Sequence, residues 1–326
     1  GRLQRKWYLR TRKWPMENCL LQPYGLDRKR KNQTVHQTTQ ALMFVADNRV
    51  ASAKHYFFEA LADLFSNSEC KSMWTSVLNA YFGWSSSDVL LNNNERFSES
   101  DLLRIRSVVK RLQANEPFQY IIGEVHFADL NLKIDQRALI PRPETEELID
   151  LILKLDLPFG SILDLCTGSG CIALALQNKF PNAKVVGVDL SLDAIALARE
   201  NALHTKLDVE FVKEDILTWQ TAQTFDLLVS NPPYIPQQEA QLMAANVLDF
   251  EPHMALFVPD HNPLLFYKRI VAIAHESLQS KGYLALEIHE DLAAQTLALL
   301  QTDAFQNPRI YRDLQGKERM ILAQKA

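Results

Sequence analysis

The stretch from Ser161 to Ala173 leaves the chain few folds to choose from. It reads Ser-Ile-Leu-Asp-Leu-Cys-Thr-Gly-Ser-Gly-Cys-Ile-Ala: a short apolar run, a turn holding Gly168 and Gly170, and the start of a helix. Two of the chain's ten glycines fall in that turn, where the backbone must bend tightly and let something approach it. The first N–H groups of a helix have no partner inside the helix and face whatever lies ahead of them. A bare strand–helix turn is the plainer alternative.

The surrounding pattern repeats this unit. Strands are expected at 161–166, 184–189, 208–213, 225–230 and 282–288. With helical runs between the first four, the alternation implies a parallel sheet with helices on both faces. The end differs: Arg309-Ile-Tyr-Arg-Asp, a turn at Gly316, then Arg319-Met-Ile-Leu-Ala reads as an antiparallel pair closing the sheet. Class I methyltransferases carry such a pair, and simple dinucleotide folds usually do not. Upstream, residues 53–115 read as helical. Tyr56, Phe57, Leu61, Leu64 and Phe65 form one stripe, Met73 to Phe82 a second, and Ser98 opens a third that ends at Asn115-Glu-Pro117. Tyr120, Ile122, Val125, Phe127 and then Leu130, Leu132, Ile134 alternate, which predicts a β-hairpin linker over 118–140. The expected plan is a basic tail (1–42), a helical domain (43–117), the hairpin linker, and a catalytic domain (141–326).

Composition narrows the class. No run approaches the roughly 18 apolar residues a membrane helix needs. Cys19, Cys70, Cys166 and Cys171 contain no Cys-x-x-Cys pair, which speaks against a zinc site or disulfide framework and for a reducing cytoplasm. The net charge of −4 conceals an asymmetry. Residues 1–42 hold ten Lys/Arg against Glu17 and Asp27, a net of +8, which leaves −12 for the rest. An acidic body argues against broad nucleic-acid binding. The tail shows no helical or strand period and is expected to be disordered or foreign to the fold. Trp7, Tyr8 and Trp14 among its cations would also suit an RNA-contacting arm. Its Arg-rich, acid-poor composition would suit a transit peptide, though it has little Ser and no amphipathic face.

Gly168-x-Gly170-x-x-Ala173 followed by Asp189 also satisfies the dinucleotide fingerprint, so a nicotinamide enzyme competes at this point. Three features pull away from it. Asp164 lies inside the first strand, where it can order the loop or meet a cofactor amine. Glu214-Asp215 ends the third strand, suited to an adenine amine. The third feature follows the fourth strand: Asn231-Pro-Pro-Tyr234. Asp189 can cap the helix opening at Ser191-Leu-Asp or accept from two ribose hydroxyls.

The strand end Phe225-Asp-Leu-Leu-Val-Ser places Asn231, Pro232, Pro233 and Tyr234 where open α/β sheets carry their chemistry. Two prolines stiffen the chain and remove two donors. Asn231 and the Pro232 carbonyl offer acceptors, and Tyr234 offers a flat face. An amide or aromatic amine is a poor nucleophile. Two acceptors that grip its N–H bonds orient it and stabilise charge as it develops.

With Ala138-Leu-Ile-Pro-Arg-Pro-Glu-Thr-Glu-Glu147 and Glu116-Pro-Phe-Gln-Tyr-Ile-Ile-Gly-Glu124, this motif resembles the peptide chain release factor glutamine methyltransferase family, from about residue 50 to the C-terminus. The resemblance implies a class I S-adenosylmethionine-dependent methyltransferase with a Rossmann-like seven-stranded sheet, a small N-terminal helical domain and a connecting β-hairpin. Its implied reaction is N5-methylation of the glutamine in the Gly-Gly-Gln motif of class I release factors. The cofactor would lie against Cys166, Thr167, Gly168, Ser169 and Gly170, with its ribose on Asp189 and its adenine on Asp215 and Ile216. Asn231, Pro232, Pro233 and Tyr234 would grip the substrate amide, with Asn231 also near the cofactor. Arg142 and Glu144 would pack beside the pocket, or simply start a helix. Many members have glycine where this chain has Cys166, and a thiol there is expected to fit if φ stays negative. His261 reads as a turn residue, and His289 calls for the same caution. An RNA or DNA amino-methyltransferase and an inactive release-factor-binding adaptor are the alternatives. The acidic body weighs against the first, the intact Asn231-Pro-Pro-Tyr against the second.

Overall fold

Serine caps organise the N-terminal helices. The computed structural model describes residue 45 and residues 47–326, and the basic tail 1–42 lies outside the described residues. Helix α1 (Val50–Leu61) is followed by α2 (Asn67–Phe82), α3 (Ser86–Leu91) and α4 (Glu99–Gln113). The last three start on Ser66, Ser85 and Ser98, each joined in a reciprocal capping box to Glu69, Asp88 or Asp101. Their apolar faces meet in one core around Phe57, Trp74 and Phe97, with ring centroids 5.4 and 6.5 Å apart. Asn115, at φ 63°, stops α4 as the sequence predicts.

The linker corrects the sequence reading in part. Phe118–Ile122 is a helical turn (α5), not the first strand of a ribbon. Pro117 opens the turn and Gly123, at φ 81°, closes it. A helix also turns adjacent side chains to different sides. Ile121 enters the helical core, whereas Tyr120 packs with Ile134, Ala138 and Ile140 and donates to the Ala138 carbonyl at 2.7 Å. The hairpin proper is β1 (Glu124–Phe127) and β2 (Leu130–Lys133), joined through Ala128 and Asp129, both at positive φ.

The remaining elements are α6 (Pro143–Leu153), β3 (Ser161–Leu165), α7 (Cys171–Lys179), β4 (Lys184–Asp189), α8 (Leu192–Thr205), β5 (Val209–Lys213), β6 (Phe225–Ser230), β7 (Ile235–Pro236), α9 (Ala245–Phe250), β8 (Phe257–Val258), α10 (Leu265–Ser277), β9 (Leu278–Glu287), α11 (Ala293–Ala298), β10 (Phe305–Arg312) and β11 (Glu318–Lys325). Seven strands form one sheet in the order β10-β11-β9-β6-β3-β4-β5, with β11 antiparallel to both neighbours and the rest parallel. Alternation along each strand feeds two cores. Ile162, Leu227 and Val229 face one side, and Leu163, Leu165 and Leu228 face the other.

Two details differ from the sequence pattern. Strand β9 starts at Leu278, and its register shifts between Phe225 and Leu227 of β6, with Lys281 at φ 65°. No helix links β5 to β6. The return from the end of β5 to the start of β6, back along the sheet and across three strand spacings, spans about 22 Å, whereas the eleven intervening residues as a helix reach only about 16 Å. The link is therefore mostly irregular, with a turn whose Trp219 N–H donates to the Asp215 carbonyl at 2.8 Å.

Asn201 of α8 fastens the hairpin to the sheet domain. Its Oδ1 accepts the Lys133 N–H at 2.7 Å, and its Nδ2 donates to the carbonyls of Lys133 and Ser169, each at 3.0 Å. The side chain is fully buried. Asn201→Ala would strand these backbone groups and is expected to cost about 2–3 kcal/mol, read as a lower urea midpoint at unchanged slope. A loss below about 0.5 kcal/mol would overturn this role, since that is the scale of a neutral surface change.

Candidate active site

The turn after β3 is held from below by a buried carboxylate. Asp164 Oδ2 accepts the Thr167 hydroxyl at 2.6 Å and the Ala173 N–H at 3.1 Å, so one oxygen ties the turn to the helix behind it. The Thr167 N–H reaches across to the Val188 carbonyl of β4 at 3.0 Å. Between these pins Cys166 adopts φ 60°, which corrects the expectation of a negative φ. The pins fix the chain on both sides, and the left-handed conformation costs a non-glycine residue about 1–2 kcal/mol. Gly168 and Gly170 stand at φ 55° and 80°. A Cβ on Gly170 would sit 2.8 Å from the Phe211 ring, whereas one on Gly168 would meet nothing within 4 Å. The loop is thus packed underneath and open above.

Asp164 has no solvent exposure, its Oδ1 lacks a partner, and burial pushes its carboxyl up to about 7. Asp189, at the end of β4, accepts the Gly168 N–H on Oδ2 and the Ser191 N–H on Oδ1, both at 2.9 Å. It therefore holds Ser191, whose hydroxyl caps α8, and shapes the glycine loop at once, and burial raises its carboxyl too. Asp215 uses Oδ1 for the Leu217 N–H at 2.9 Å. Ile216 is buried, and its carbonyl accepts Arg269 Nε at 2.8 Å, while Arg269 Nη2 donates to the Trp219 carbonyl. One guanidinium on α10 thereby shapes the whole 215–219 turn.

The Asn231–Tyr234 segment leaves β6 beside this loop with Pro232 and Pro233 buried. Asn231 Nδ2 donates to Thr145 Oγ1 at 3.2 Å, and Thr145 Oγ1 donates to Glu287 Oε2 at 2.6 Å. The Tyr234 hydroxyl donates to Glu287 Oε1 at 3.1 Å. Glu287 is 1% exposed; burial raises its carboxyl, while the two hydroxyls and the Arg319 charge act against that. Burial also pushes the Tyr234 phenol above its ordinary range, with the Glu287 charge adding to the effect. Tyr234 meets the His289 ring edge-on at 5.9 Å, and beside it opens a cleft of about 250 Å³ lined by Ile235, Met243, His289 and Arg319. Arg142 is ion-paired at 2.6 Å with the buried Glu251, which also accepts the Ile140 N–H at 3.1 Å. Glu144 accepts from the Gln315 side chain at 3.1 Å.

Thr145, Glu287, Glu251 and Arg269 went unnoticed as site residues in the sequence. A signal existed for Glu287, a carboxylate inside the apolar run Leu284-Ala-Leu-Glu-Ile. His261 lies exposed in a turn, as read. His289 is buried; its Nδ1 accepts the Asp291 N–H at 3.1 Å, which leaves Nε2 to donate to Glu239 at 3.0 Å. It caps a short helix and holds a carboxylate.

The residues at hand suit an adenosyl sulfonium ligand. Asp164 Oδ1 is an acceptor without a donor, the space above Gly168 is open, and Asp189 ends β4 while Asp215 lies just past the end of its neighbour β5. A glycine loop of this build on a seven-stranded sheet with an antiparallel terminal strand defines a class I S-adenosylmethionine-dependent methyltransferase. Residues 145–250 match the methyltransferase small domain model, and residues 67–123 match the PrmC N-terminal domain model. A release factor glutamine methyltransferase of Flavobacterium psychrophilum is 40% identical over 81% of this chain and 95% of its own length. One from Bacteroides thetaiotaomicron is 36% identical over 85% of this chain and 100% of its own, and one from Lactococcus lactis 40% over 70% and 84%. The chain belongs to the release factor glutamine methyltransferase family.

The buried loop carboxylate carries a pH signature. Unfolded, Asp164 ionises near its ordinary 3.8; folded, it does so at about 7. Between these values the folded chain holds the extra proton, so this group's contribution to stability falls as pH rises, by about 4 kcal/mol in all, and levels off above about 7. Asp164→Asn removes that slope. Urea midpoints of both proteins across pH 4 to 8 should therefore diverge steadily, with the variant gaining on the wild type as pH rises. A pH-independent difference would overturn the assignment.

Proposed function

We propose that the chain transfers a methyl group from S-adenosylmethionine to the side-chain amide nitrogen of the glutamine in the Gly-Gly-Gln motif of class I release factors. The carrying observation is a pair of idle acceptors. Asn231 spends its NH2 on Thr145, while its Oδ1 and the Pro232 carbonyl accept no hydrogen bond from the described residues. Two acceptors side by side fit the two N–H bonds of a primary amide.

Bound at the glycine loop, S-adenosylmethionine supplies an electrophilic methyl on a sulfonium. Cys166 to Gly170 and Asp164 hold the cofactor's amino-acid end, Asp189 takes the ribose hydroxyls, and Asp215 with Ile216 takes the adenine. Asn231 Oδ1 and the Pro232 carbonyl hold the substrate N–H bonds, which turns the nitrogen lone pair toward the methyl and favours the positive charge that grows there. Tyr234 lays its ring against the planar amide and stays neutral. Glu287 is turned to Thr145 and Tyr234, accepting one hydroxyl on each oxygen. Orientation and electrostatics carry the transfer, whose products would be S-adenosylhomocysteine, the N-methyl amide and one proton released from the nitrogen to water.

The helical module is the part of the chain that recognises the release factor outside its Gly-Gly-Gln loop. A pocket that grips one amide reads little of its surroundings. A translation factor as substrate places the work in the cytoplasm. Among the described residues no helix is long and apolar enough to cross a membrane.

Labelled cofactor offered to release factor or to bulk RNA should label only the release factor; label in RNA would replace this reading with nucleic-acid methylation. Asn231→Ala should lower kcat roughly 10²- to 10³-fold, the scale of losing one preorganised partner in the transition state, with cofactor affinity retained by calorimetry. A kcat within about threefold of wild type would remove Asn231 from the mechanism.

Arg104→Glu combined with Lys110→Glu, both exposed on α4, should raise KM for whole release factor and leave a short Gly-Gly-Gln peptide unaffected. Equal losses on both substrates would deny the module a docking role.

A further inference from the structure

We infer that Glu287 is a positioning residue that, through Thr145, fixes which end of the Asn231 carboxamide faces the substrate, and so makes the pocket take an amide rather than a carboxylate. The inference rests on the glutamine-methylating function proposed above and explains how its selectivity is built.

A threonine hydroxyl has one proton to give and lone pairs to accept with. At 2.6 Å from Glu287 Oε2 the proton of Thr145 is committed to the carboxylate, in the short range typical of a charge-assisted bond. Towards Asn231, 3.2 Å away, Thr145 can then only accept. Asn231 must present its NH2 there and turn its Oδ1 the other way. The opposite rotation would set two acceptors face to face with no proton between them. Because the two ends of a carboxamide have the same shape, packing alone cannot select one. Only the direction of the hydrogen-bond chain does so.

Glu287 suits this task. It ends β9 in the middle of the sheet, paired in register with Met320 of β11, and it is buried. Its other oxygen takes the Tyr234 hydroxyl at 3.1 Å, so one carboxylate sets both the amide grip and the ring beside it. The consequence is chemical discrimination. Glutamine brings two N–H donors to Asn231 Oδ1 and the Pro232 carbonyl, whereas glutamate brings only acceptors and a negative charge. If Asn231 turned over, one acceptor would become a donor, and the pocket would lose its preference.

The test compares Thr145→Val, which keeps the branched shape and deletes both hydrogen bonds, with Thr145→Ser, which keeps the hydroxyl. Full-length enzyme is assayed with a Gly-Gly-Gln peptide as substrate and a Gly-Gly-Glu peptide as competitor. Thr145→Val should lower kcat about 10- to 100-fold, the range for a misoriented reacting group, with cofactor affinity kept. The same variant should bind the glutamate peptide better than wild type does, so that the ratio of glutamate to glutamine affinity rises about tenfold, one hydrogen-bond reversal's worth. Thr145→Ser should restore most of the rate and the original ratio. Glu287→Leu, which frees the Thr145 proton to donate to Asn231, should shift the ratio as Thr145→Val does. In an Asn231→Ala background Thr145→Val should add almost nothing, because Thr145 acts through Asn231.

An unchanged ratio in Thr145→Val, or parallel loss of affinity for both peptides and the cofactor, would overturn the inference and leave Glu287 a packing residue. A wild-type enzyme that labels neither peptide nor release factor would instead bring down the proposed function, and this inference with it.

Discussion

The Asp164 carboxylate is the anchor on which the cofactor side of the molecule depends. Its Oδ2 ties Thr167 and Ala173 to the end of β3, so that the turn cannot open without stranding a carboxylate in a dry interior. That constraint explains two features that otherwise look like defects. Cys166 accepts a left-handed backbone because the residues on either side leave it no other path. Gly187, one strand away, has no side chain because a Cβ there would lie 2.7 Å from Phe211 and 2.9 Å from Thr167 Oγ1. Around this turn Gly170 and Gly187 let protein pack against protein, and Gly168 leaves the surface open.

A second buried carboxylate does the corresponding work on the substrate side. Glu287 ends β9 as Asp164 nearly ends β3; Glu287 accepts a hydroxyl on each oxygen, and Asp164 accepts a hydroxyl and a backbone N–H on one. A buried carboxylate is expensive to desolvate and becomes strongly destabilising once a partner is lost. It therefore holds its donors in one arrangement more firmly than a neutral acceptor would. Precise orientation is what a weak amide nucleophile needs, and the site supplies it with acceptors and fixed dipoles where a strong base would not help.

How much of this was legible in the sequence follows the range of the interactions. Local patterns carried well: the start of α4 at Ser98 and its stop at Asn115, β4 and β6 at their predicted bounds, and the loop Cys166–Gly170 at the C-terminal end of β3. Short apolar runs carried less. Tyr120 and Ile122 alternate as a strand would, yet five residues between a proline and a glycine closed into a helical turn that serves two cores. The helix expected between β5 and β6 failed on reach, a property of sheet order that a linear pattern does not contain. Thr145 and Glu287 lie 142 positions apart. Only the folded sheet brings them together, and nothing local to Pro143-Glu-Thr-Glu marks the threonine as part of the site.

The connection between the helical module and the site has the same long-range character. Tyr120 and Ile121 are neighbours in sequence but belong to different cores, so α5 packs into both. Arg111 of α4 donates to the carbonyls of Tyr120 and Ile121, each at 3.3 Å. From α5 the chain runs into the hairpin, whose Lys133 backbone is held by Asn201, and the same Asn201 side chain holds the Ser169 carbonyl in the glycine loop. A continuous set of hydrogen bonds and packed side chains thus runs from α4 to the cofactor loop. Contiguity of this kind shows that the parts are in contact, not that they signal to one another. One buried carboxamide that bonds both to the β2 backbone and to the glycine loop therefore keeps the hairpin and that loop in a single arrangement.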